Sequence, residues 1–341
     1  MVENVLGTPH RAVSASDVAR AAGVSMQTVS RVVRGLDNVQ PDTAARVRDA
    51  MATLGYRPNR AARALRSGRF HTIGVIMFSL SSYGNTRTLE AIAGAAAEAD
   101  FTVTLLPVRR WTQGDVSTAF DRLSEQAVDG IVIVIESHIV DESEVVLPSD
   151  IPVVVLDSTG AANRPVVDTD QAQGARLATE YLLDLGHETV WHVTGPQGSY
   201  SAQRRETSWR QTLEAAGRRV PPTFPGDWST ETGYRVGLEI ARRSDITAVF
   251  AANDQTALGI LRACHELGRE VPRTLSVVGF DDMAESDSFW PPLTTVHQSF
   301  DEVGRDSITV LLEEIAGREA PRSTLIPTRL VVRDSAAAPP A

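Results

Sequence analysis

The 341-residue sequence has no lysine, one cysteine and few aromatic residues. All 33 basic residues are arginine, which coding bias is enough to explain, so we infer no function from it. A single cysteine, Cys264, excludes an intramolecular disulfide and a cysteine metal cluster, and its apolar helical context predicts a buried structural thiol. No apolar run approaches the roughly 20 residues of a membrane span, and the N-terminus lacks a signal-peptide pattern. We therefore expect a cytoplasmic protein without a metal or cofactor.

Charge is distributed unevenly along the chain. Residues 14–69 hold ten arginines, four aspartates and no glutamate, a net charge of +6, so the rest of the chain carries −16 of the total of −10. The length exceeds that of one typical domain and favours two or three. A basic module joined to an acidic body predicts a head that binds a polyanion and a body that does not.

A short helix is predicted to follow Ser25, whose hydroxyl can accept hydrogen bonds from the free amides of the first turn. Val29, Val32 and Val33 recur at helical spacing and form an apolar stripe. The polar side chains must then face outward, and they are Gln27, Ser30, Arg31 and Arg34. Taken alone, this segment is explained as well by an amphipathic surface helix as by a helix that contacts DNA bases.

The neighbouring segments favour the DNA-binding interpretation. A first helix is predicted to begin with Ser16 as its N-cap and to end at Gly23, two residues before the second helix. A third helix is predicted to run from Pro41 to the stop residue Gly55. Two short helices joined by a tight turn containing glycine form a helix-turn-helix, and the third completes a small core that can hold the second helix in a major groove.

From Thr72 onward, β-branched runs alternate with helical segments. Continuous apolar strands of this kind are typical of a parallel sheet that is buried on both faces, so the sequence predicts two doubly wound α/β lobes. The predicted strands are 73–77, 101–106, 130–135 and 152–156 in the first series and 189–194, 247–252 and 275–280 in the second. The predicted helices between them are 89–99, 116–127, 174–185, 204–216 and 255–267.

Three of these strands end in polar residues. Asp157 follows one, Asn253 and Asp254 follow another, and Asp281 and Asp282 follow a third. Ligands of open α/β sheets bind beyond the carboxyl ends of the strands, so these side chains are expected to converge on one crevice. Carboxylates and an amide there suit a neutral polyhydroxyl ligand. Each residue alone could instead cap a helix, Asp254 especially.

Two segments resemble a known family. Residues 17–33 are similar to the signature of the lac repressor (LacI/GalR) family of bacterial transcription regulators, and residues 56–65 resemble its hinge helix. The resemblance runs from residue 14 to about 333, and the C-terminal half is closer to the lac repressor branch than to the purine-sensing members. It implies an α/β protein with a three-helix helix-turn-helix head, a hinge helix and two lobes of periplasmic-binding-protein type.

The resemblance also implies domain boundaries. The DNA-binding domain would span residues 14–57, and the hinge helix and linker residues 58–70. A two-lobed ligand-binding and dimerisation domain would span residues 71–335. Lobe 1 would comprise about 71–168 and 299–324, and lobe 2 about 169–298 and 325–335. The chain would cross between the lobes near 168–170, near Gln298 and near Leu325.

The DNA contacts that the resemblance implies lie in the head and the hinge. They are Ser25, Met26, Gln27, Thr28, Ser30, Arg31, Arg34, Asn38, Tyr56, Asn59, Ala62 and Leu65. Leu65 corresponds to a residue that wedges into the minor groove and kinks DNA; alternatively, it packs on the body beside a solvated linker. Arg34 stands where the family usually has asparagine, so the preferred base pairs are expected to differ.

The ligand contacts that the resemblance implies lie between the lobes. They are Asp157, Ser201, Arg205, Trp228, Asn253, Asp281 and Gln298. A disaccharide or glycoside is favoured. The first-lobe segment 78–85 is bulkier and more polar than is usual in that branch, so the identity of the second sugar or aglycone stays open.

These features predict a sequence-specific transcriptional regulator, with repression as the expected mode, that binds double-stranded operator DNA and is released by a small sugar. The C-terminus lacks a leucine heptad, so a homodimer is expected, with no membrane partner. One alternative is a sugar-processing α/β enzyme with a DNA-binding head, against which the sequence has no P-loop, dinucleotide-binding or nucleophile-elbow motif. Another is a family member that senses a purine or a protein corepressor.

Overall fold

The computed structural model describes residues 13–33, 38–57, 69–77, 80, 82–108, 113–134, 151–157 and 164–340. The chain separates into two units, Met1–Phe70 and His71–Ala341. Four predicted DNA contacts, Arg34, Asn59, Ala62 and Leu65, lie outside the described residues, as does most of the predicted hinge segment. In the part of the chain that is described, no helix is long and apolar enough to cross a membrane.

The N-terminal unit, which we call the head, contains three helices: α1 (Ala15–Ala22), α2 (Met26–Val33) and α3 (Pro41–Leu54). One side chain from each helix, Val18, Val29 and Val47, is at most 1% exposed, and these three form the centre of the head's core. Gly23 adopts φ +64°, which lets the chain turn sharply between α1 and α2. The predicted helix-turn-helix with a supporting third helix is therefore present.

The prediction that Ser16 caps the first helix is wrong. Ser14 is the N-cap: its hydroxyl accepts a hydrogen bond from the Asp17 amide at 3.3 Å, and the Asp17 carboxylate accepts one from the Ser14 amide at 3.0 Å. This reciprocal pair is a capping box, which needs an acceptor three residues after the cap. Asp17 satisfies that spacing for Ser14, so Ser16 falls inside the first helical turn.

Among the described residues, the larger unit contains seven α-helices and eleven strands. In chain order they are β1 (Thr72–Met77), α4 (Tyr83–Glu98), β2 (Thr102–Pro107), α5 (Gln113–Glu125), β3 (Gly130–Val134), β4 (Val153–Leu156), β5 (Val166–Thr169), α6 (Gln171–Asp184), β6 (Trp191–Val193), α7 (Tyr200–Ala215), α8 (Thr230–Ala241), β7 (Ala248–Ala251), α9 (Asp254–Glu266), β8 (Ser276–Asp281), β9 (Thr294–His297), α10 (Phe300–Ile315), β10 (Ser323–Ile326) and β11 (Arg329–Val331).

Each lobe is built on one sheet. Lobe 1 has the order β2-β1-β3-β4-β5-β10, with parallel pairing throughout. Lobe 2 has the order β6-β7-β8-β9-β11, in which only β11 is antiparallel to its neighbour. The central strands β3, β4 and β7 are buried along their whole length, with apolar clusters on both faces of each sheet. The predicted pair of α/β lobes is confirmed.

The chain passes between the lobes three times. It crosses at residues 169–171 between β5 and α6, at 298–299 between β9 and α10, and at 327–328 between β10 and β11. The third crossing lies beyond the predicted position, because Leu325 belongs to β10 and pairs with Asp168 of lobe 1. Lobe 2 also extends past residue 335, since the Ala337 carbonyl accepts a hydrogen bond from the Ser276 hydroxyl at 2.8 Å.

Several elements escaped prediction. The helices α8 and α10 and the crossing strands β5, β9, β10 and β11 were not expected. Helix α4 begins at Tyr83, where Ser82 caps it by accepting a hydrogen bond from the Asn85 amide. The predicted start was Leu89, because the first turns of this helix lack apolar periodicity. The stop residues were predicted correctly: Gly186, Gly217 and Gly268 each follow the end of a helix, and each has a positive φ.

Candidate functional site

A cleft lies between the two lobes, where the carboxyl ends of the strands of both sheets meet. It encloses about 650 Å³, including its open mouth. All seven residues that were predicted to bind a ligand line it: Asp157, Ser201, Arg205, Trp228, Asn253, Asp281 and Gln298. They come from strand ends and helix starts that are distant in sequence, as the geometry of open α/β sheets predicts. Their roles in binding remain predictions.

Arg205 is the central cation of the cleft and is 4% exposed. Its Nε donates a hydrogen bond to Gln171 Oε1 at 2.8 Å and its Nη1 donates to the Ala252 carbonyl at 2.5 Å. Nη1 also lies 3.7 Å from Asp281 Oδ1. The guanidinium carbon sits 3.7 Å from the centroid of the Phe280 ring, a cation–π contact. These contacts fix the plane of the guanidinium, so its remaining N–H groups have defined directions.

Arg205 is part of a closed ring of polar side chains, which we call the polar ring. Gln171 accepts from Arg205 and donates through Nε2 to Gln298 Oε1 at 3.1 Å. Gln298 in turn donates through Nε2 to Asp281 Oδ1 at 2.7 Å, and Asp281 faces Arg205 again. Gln171 carried no signal in the sequence, because its role depends on the lobe crossing that brings it beside Gln298.

Burial perturbs the acids and bases of the cleft. It raises the pKa of Asp281 to about 7, although the Arg205 charge acts in the opposite direction. It lowers the pKa of Arg205, against the charges of Asp281 and Asp157. Burial also raises the pKa of Asp168 to about 7, with the Thr169 amide and Arg204 acting the other way. The cleft therefore holds carboxyl groups that titrate near neutral pH, which is typical of functional sites.

Trp228 reaches the cleft from the loop before α8. Its indole lies against Gly195. A Cβ atom added to that glycine would lie only 2.5 Å from Cζ2 and 2.7 Å from Cζ3 of the indole. Its carbonyl accepts a hydrogen bond from Asn253 Nδ2 at 3.1 Å. Trp228 has φ +70°, and Asp157 and Asp281 have φ +58° and +113°. Non-glycine residues rarely adopt this conformation, and strain of this kind clusters at functional sites.

The alternative role of a helix cap applies to Asn253 and not to Asp254, which is the first residue of α9. Asn253 caps α9, since its Oδ1 accepts from the Thr256 amide at 3.0 Å. Asp282 faces Arg333 at 2.7 Å and His297 at 2.9 Å, and it does not line the cleft. Asn253 thus combines a helix cap with a place on the cleft wall.

Asp254 supports the cleft from behind. Its carboxylate accepts hydrogen bonds from the Met283 amide at 2.9 Å and the Ser286 hydroxyl at 2.6 Å, and from the Thr295 hydroxyl at 2.5 Å. Burial raises its pKa to about 6. These bonds connect α9 to β9 and to the loop after Asp281. They therefore hold the Asp281 carboxylate in place.

The first lobe supplies a different wall, which includes residues 82–85 of the expected segment 78–85, whereas most of its other residues carried no signal in the sequence. About half of its lining is apolar or aromatic, and the rest is polar and includes Asp157, named above: Ser82, Tyr83, Gly84, Asn85, Thr88, Val134, Leu156, Val167, Asp168, Thr169, Phe300 and Val303. Tyr83 packs edge-on against Phe300, with ring centroids 6.0 Å apart. The apolar and aromatic side chains among these residues suit a ligand that has one polar and one apolar face.

In the head, α2 presents one solvent-facing side. Met26 is 60% exposed, Gln27 is exposed, and Thr28, Ser30 and Arg31 are half-buried. Ser25 caps the helix as predicted, since the Thr28 amide donates to its hydroxyl at 3.1 Å. Asn38 is exposed as well. Tyr56 is half-buried and packs against the head's core, so it also has a structural role.

Comparison with known proteins identifies the family to which a chain with this head and this two-lobed cleft belongs. The model of the bacterial regulatory proteins of the lacI family matches residues 15–59, and that of the periplasmic binding protein-like domain matches residues 179–336. The lactose operon repressor of Escherichia coli (strain K12) is 33% identical over 328 residues, which cover 95% of this chain and 90% of the repressor. The chain belongs to the lacI family.

Other members of the lacI family are similar along most of their length. The HTH-type transcriptional regulator CelR of Thermobifida fusca is 33% identical over 342 residues, covering 93% of this chain and 96% of the relative. The HTH-type transcriptional repressor PurR of Haemophilus influenzae (strain PittEE) is 30% identical over 310 residues, covering 89% and 91%. Because these levels are close, overall identity does not decide which effector the chain binds.

Solved structures of lacI-family proteins share the fold. A lac repressor dimer bound to operator and the anti-inducer ONPF superposes with a TM-score of 0.84 at 33% identity, covering 96% of this chain and 100% of the repressor chain. A CelR–cellobiose complex gives a TM-score of 0.68 at 28% identity, covering 95% and 99%. These relatives are regulators and not enzymes, so the chain is a DNA-binding transcriptional regulator, as predicted, and the enzyme alternative has no support.

Proposed function

We propose that this lacI-family regulator is a homodimeric repressor that binds a palindromic operator in the cytoplasm and releases it when a small sugar occupies the cleft. The observation that carries the proposal is the polar ring of Arg205, Gln171, Gln298 and Asp281, next to the Trp228 indole and opposite a lobe 1 wall that is partly apolar. Sugar hydroxyls both donate and accept, so they match paired amides, a carboxylate and a guanidinium. The apolar face of a pyranose can lie on an indole or on aliphatic side chains.

The solved relatives support this proposal by analogy. One is a lac repressor dimer on its operator, and another is CelR in complex with cellobiose. We therefore favour a disaccharide or a glycoside as the effector.

The proposed release depends on differential binding to two arrangements of the lobes. A ligand that contacts the lobe 2 polar ring and the lobe 1 wall together favours the closed arrangement, since an open cleft offers only one set of contacts. Closure would alter the contacts between the first lobes of the two protomers and separate the hinge segments. The expected coupling between ligand and operator is about 1–3 kcal/mol, which corresponds to a 5- to 150-fold change in operator affinity.

A thermal-shift screen over monosaccharides, disaccharides and purine bases tests the effector class. A bound sugar at one hundred times its Kd should stabilise the folded protein by about 2.7 kcal/mol and raise its melting temperature. The Arg205→Ala variant should show no shift with the same sugar, because the guanidinium that organises the polar ring is gone. Stabilisation by a purine base and by no sugar would replace the sugar in this proposal with a purine.

The hinge is tested separately. Leu65→Ala should weaken operator binding, because the side chain that would wedge into the minor groove is lost. The same variant should bind the sugar with unchanged affinity in calorimetry, since residue 65 belongs to the predicted hinge segment. Unchanged operator affinity in a gel-shift titration would refute the hinge assignment.

A further inference from the structure

The third crossing between the lobes, at residues 327–328, is short and constrained. The residue before it, Ile326, ends β10, and its carbonyl accepts a hydrogen bond from the Asp170 amide at 2.8 Å, which extends the β5–β10 pairing of lobe 1. Thr328 is 7% exposed and bonds to α6 of lobe 2. Pro327 stands between them, and its ring fixes φ at about −65°. Few torsion angles therefore separate lobe 1 from lobe 2 at this point.

The first crossing changes lobe at a neighbouring point, Asp170. The Asp170 amide bonds to Ile326 on the lobe 1 side, whereas its carboxylate caps α6 on the lobe 2 side by accepting from the Gln173 amide at 2.8 Å. The first and third crossings thus pass from one lobe to the other side by side. Two adjacent crossings of this kind define a line about which the lobes can rotate.

Gln173 of α6 bonds to both crossings. Its amide donates to Asp170, and its side-chain Oε1 accepts from the Thr328 amide at 2.6 Å and from the Thr328 hydroxyl at 3.0 Å. Gln173 is half-buried and does not line the cleft. Its side chain therefore holds the third crossing against α6 without being part of the cleft wall.

The first turn of α6, residues 171–174, is also connected to the polar ring. Gln171 accepts a hydrogen bond from Arg205. The backbone of Gly174 lies so close to Phe280 that an added Cβ atom would be 2.6 Å from two carbons of the ring. The same ring faces the Arg205 guanidinium. The contacts that position Arg205 in the cleft therefore also hold the start of α6.

We propose that the lobes rotate about the first turn of α6 and that Gln173 is the positioning residue that fixes this pivot. The inference rests on the proposed function, in which closure of the lobes lowers operator affinity, and it names the part of the molecule that controls the closure. While Gln173 holds Thr328, lobe 1 has to turn as one body when a ligand engages both walls of the cleft. Without that bond the third crossing can shift alone, and the cleft can close with little rotation of the lobe.

Pulsed electron paramagnetic resonance on the full chain without sugar tests the pivot. Nitroxide labels at Glu98→Cys in α4 and Glu214→Cys in α7 report the distance between the lobes. Both positions are exposed, and the native Cys264 is buried, so it does not react with the label. Assembly with an excess of unlabelled protein limits each dimer to one labelled protomer. The labelled protein should give one narrow distance distribution, and Gln173→Ala should at least double its width.

Two further variants separate positioning from a merely structural role. Gln173→Glu should keep the narrow distribution, because a carboxylate also accepts both bonds from Thr328 and suits the first turn of a helix. The matched control is Gln203→Ala, the same change at an exposed position of α7, which should also keep it. A lower melting temperature of Gln173→Ala without broadening, or equal broadening in Gln203→Ala, would overturn the inference.

The effect on release is measured by fluorescence anisotropy with an operator selected from a random-sequence library. The probes are lactose, cellobiose, maltose, galactose and glucose. The 5- to 150-fold release expected of an effector should fall below about twofold in Gln173→Ala, while calorimetry shows little change in the Kd of that sugar. Full release in Gln173→Ala would overturn the inference. If Gln173→Ala broadens the distance distribution but none of these sugars alters operator affinity in the wild-type protein, the pivot stands and the proposed release by a sugar fails.

Discussion

The contact between Gly195 and Trp228 gives the sharpest structural prediction, because a single methyl group perturbs it. Gly195 follows β6, and it is not among the described glycines with positive φ, so an alanine adds no backbone strain there. The added Cβ would lie 2.5–2.7 Å from Cζ2 and Cζ3 of Trp228. Carbon atoms pack at about 3.5–4.0 Å, so the ring must move by about 1 Å. Gly195→Ala should therefore displace the indole from the cleft wall.

Overpacking of this kind costs about 1–3 kcal/mol, and we expect Gly195→Ala to lower the free energy of unfolding by that amount. Urea unfolding followed by far-ultraviolet circular dichroism measures the loss. Sugar affinity should fall as well, because the displaced indole no longer matches the position of the sugar face. The control is Gly94→Ala in α4, where a Cβ meets nothing within 4 Å and alanine should stabilise by about 0.5–1 kcal/mol.

A double-mutant cycle separates the clash from any other effect. In the Trp228→Ala background the ring is absent, so Gly195→Ala should cost no more than about 0.5 kcal/mol. An equal cost in both backgrounds would show that the indole is not the group that the new methyl meets. The packing of Trp228 against Gly195 would then be wrong, and with it the orientation of the cleft's aromatic wall.

Two further predictions concern capping and pH. Ser14→Ala should destabilise α1 by about 1 kcal/mol, because it removes the N-cap, whereas Ser16→Ala should cost much less. Hydrogen exchange of the α1 amides in the full chain measures both losses. Equal losses in the two variants would contradict the capping box. Burial raises the pKa of Asp281 to about 7, so the folded state holds a proton that the unfolded state releases above pH 4. The resulting stability is present below pH 4 and is lost as pH rises through 7, at up to about 1.4 kcal/mol per pH unit for each proton. Asp281→Asn should flatten this loss between pH 5 and 8, and an unchanged slope in urea unfolding would contradict it.

Local patterns predicted the head and seven of the eleven described strands. Ser25 and Gly23 mark the ends of their helices through short-range hydrogen bonds and backbone conformation, so the residues alone carried the signal. The buried strands were found because an apolar run that is covered on both faces has few alternatives. Ser14 was missed in favour of Ser16, because two serines stood near Asp17 and only the three-residue spacing to that carboxylate decides between them.

The cleft was predictable only in part, for a physical reason. Polar residues at strand ends pointed to Asp157, Asn253 and Asp281, because parallel strands bring their carboxyl ends together. Gln171 joins the polar ring through Gln298, which lies 127 positions away, and no local pattern predicts such a contact. Asp168 is also at a strand end, but only two of the four residues of β5 are apolar, so this strand escaped detection.

The central claim is that a ligand in the cleft lowers operator affinity. Fluorescence anisotropy measures it directly, with the wild-type protein, an operator selected from a random-sequence library, and the sugar that gives the largest thermal shift. Saturating sugar should weaken operator binding 5- to 150-fold in the wild-type protein and leave it unchanged in Asp281→Ala, whose polar ring is broken. Operator affinity that stays constant or increases in the wild-type protein at saturating sugar would contradict release by a sugar inducer.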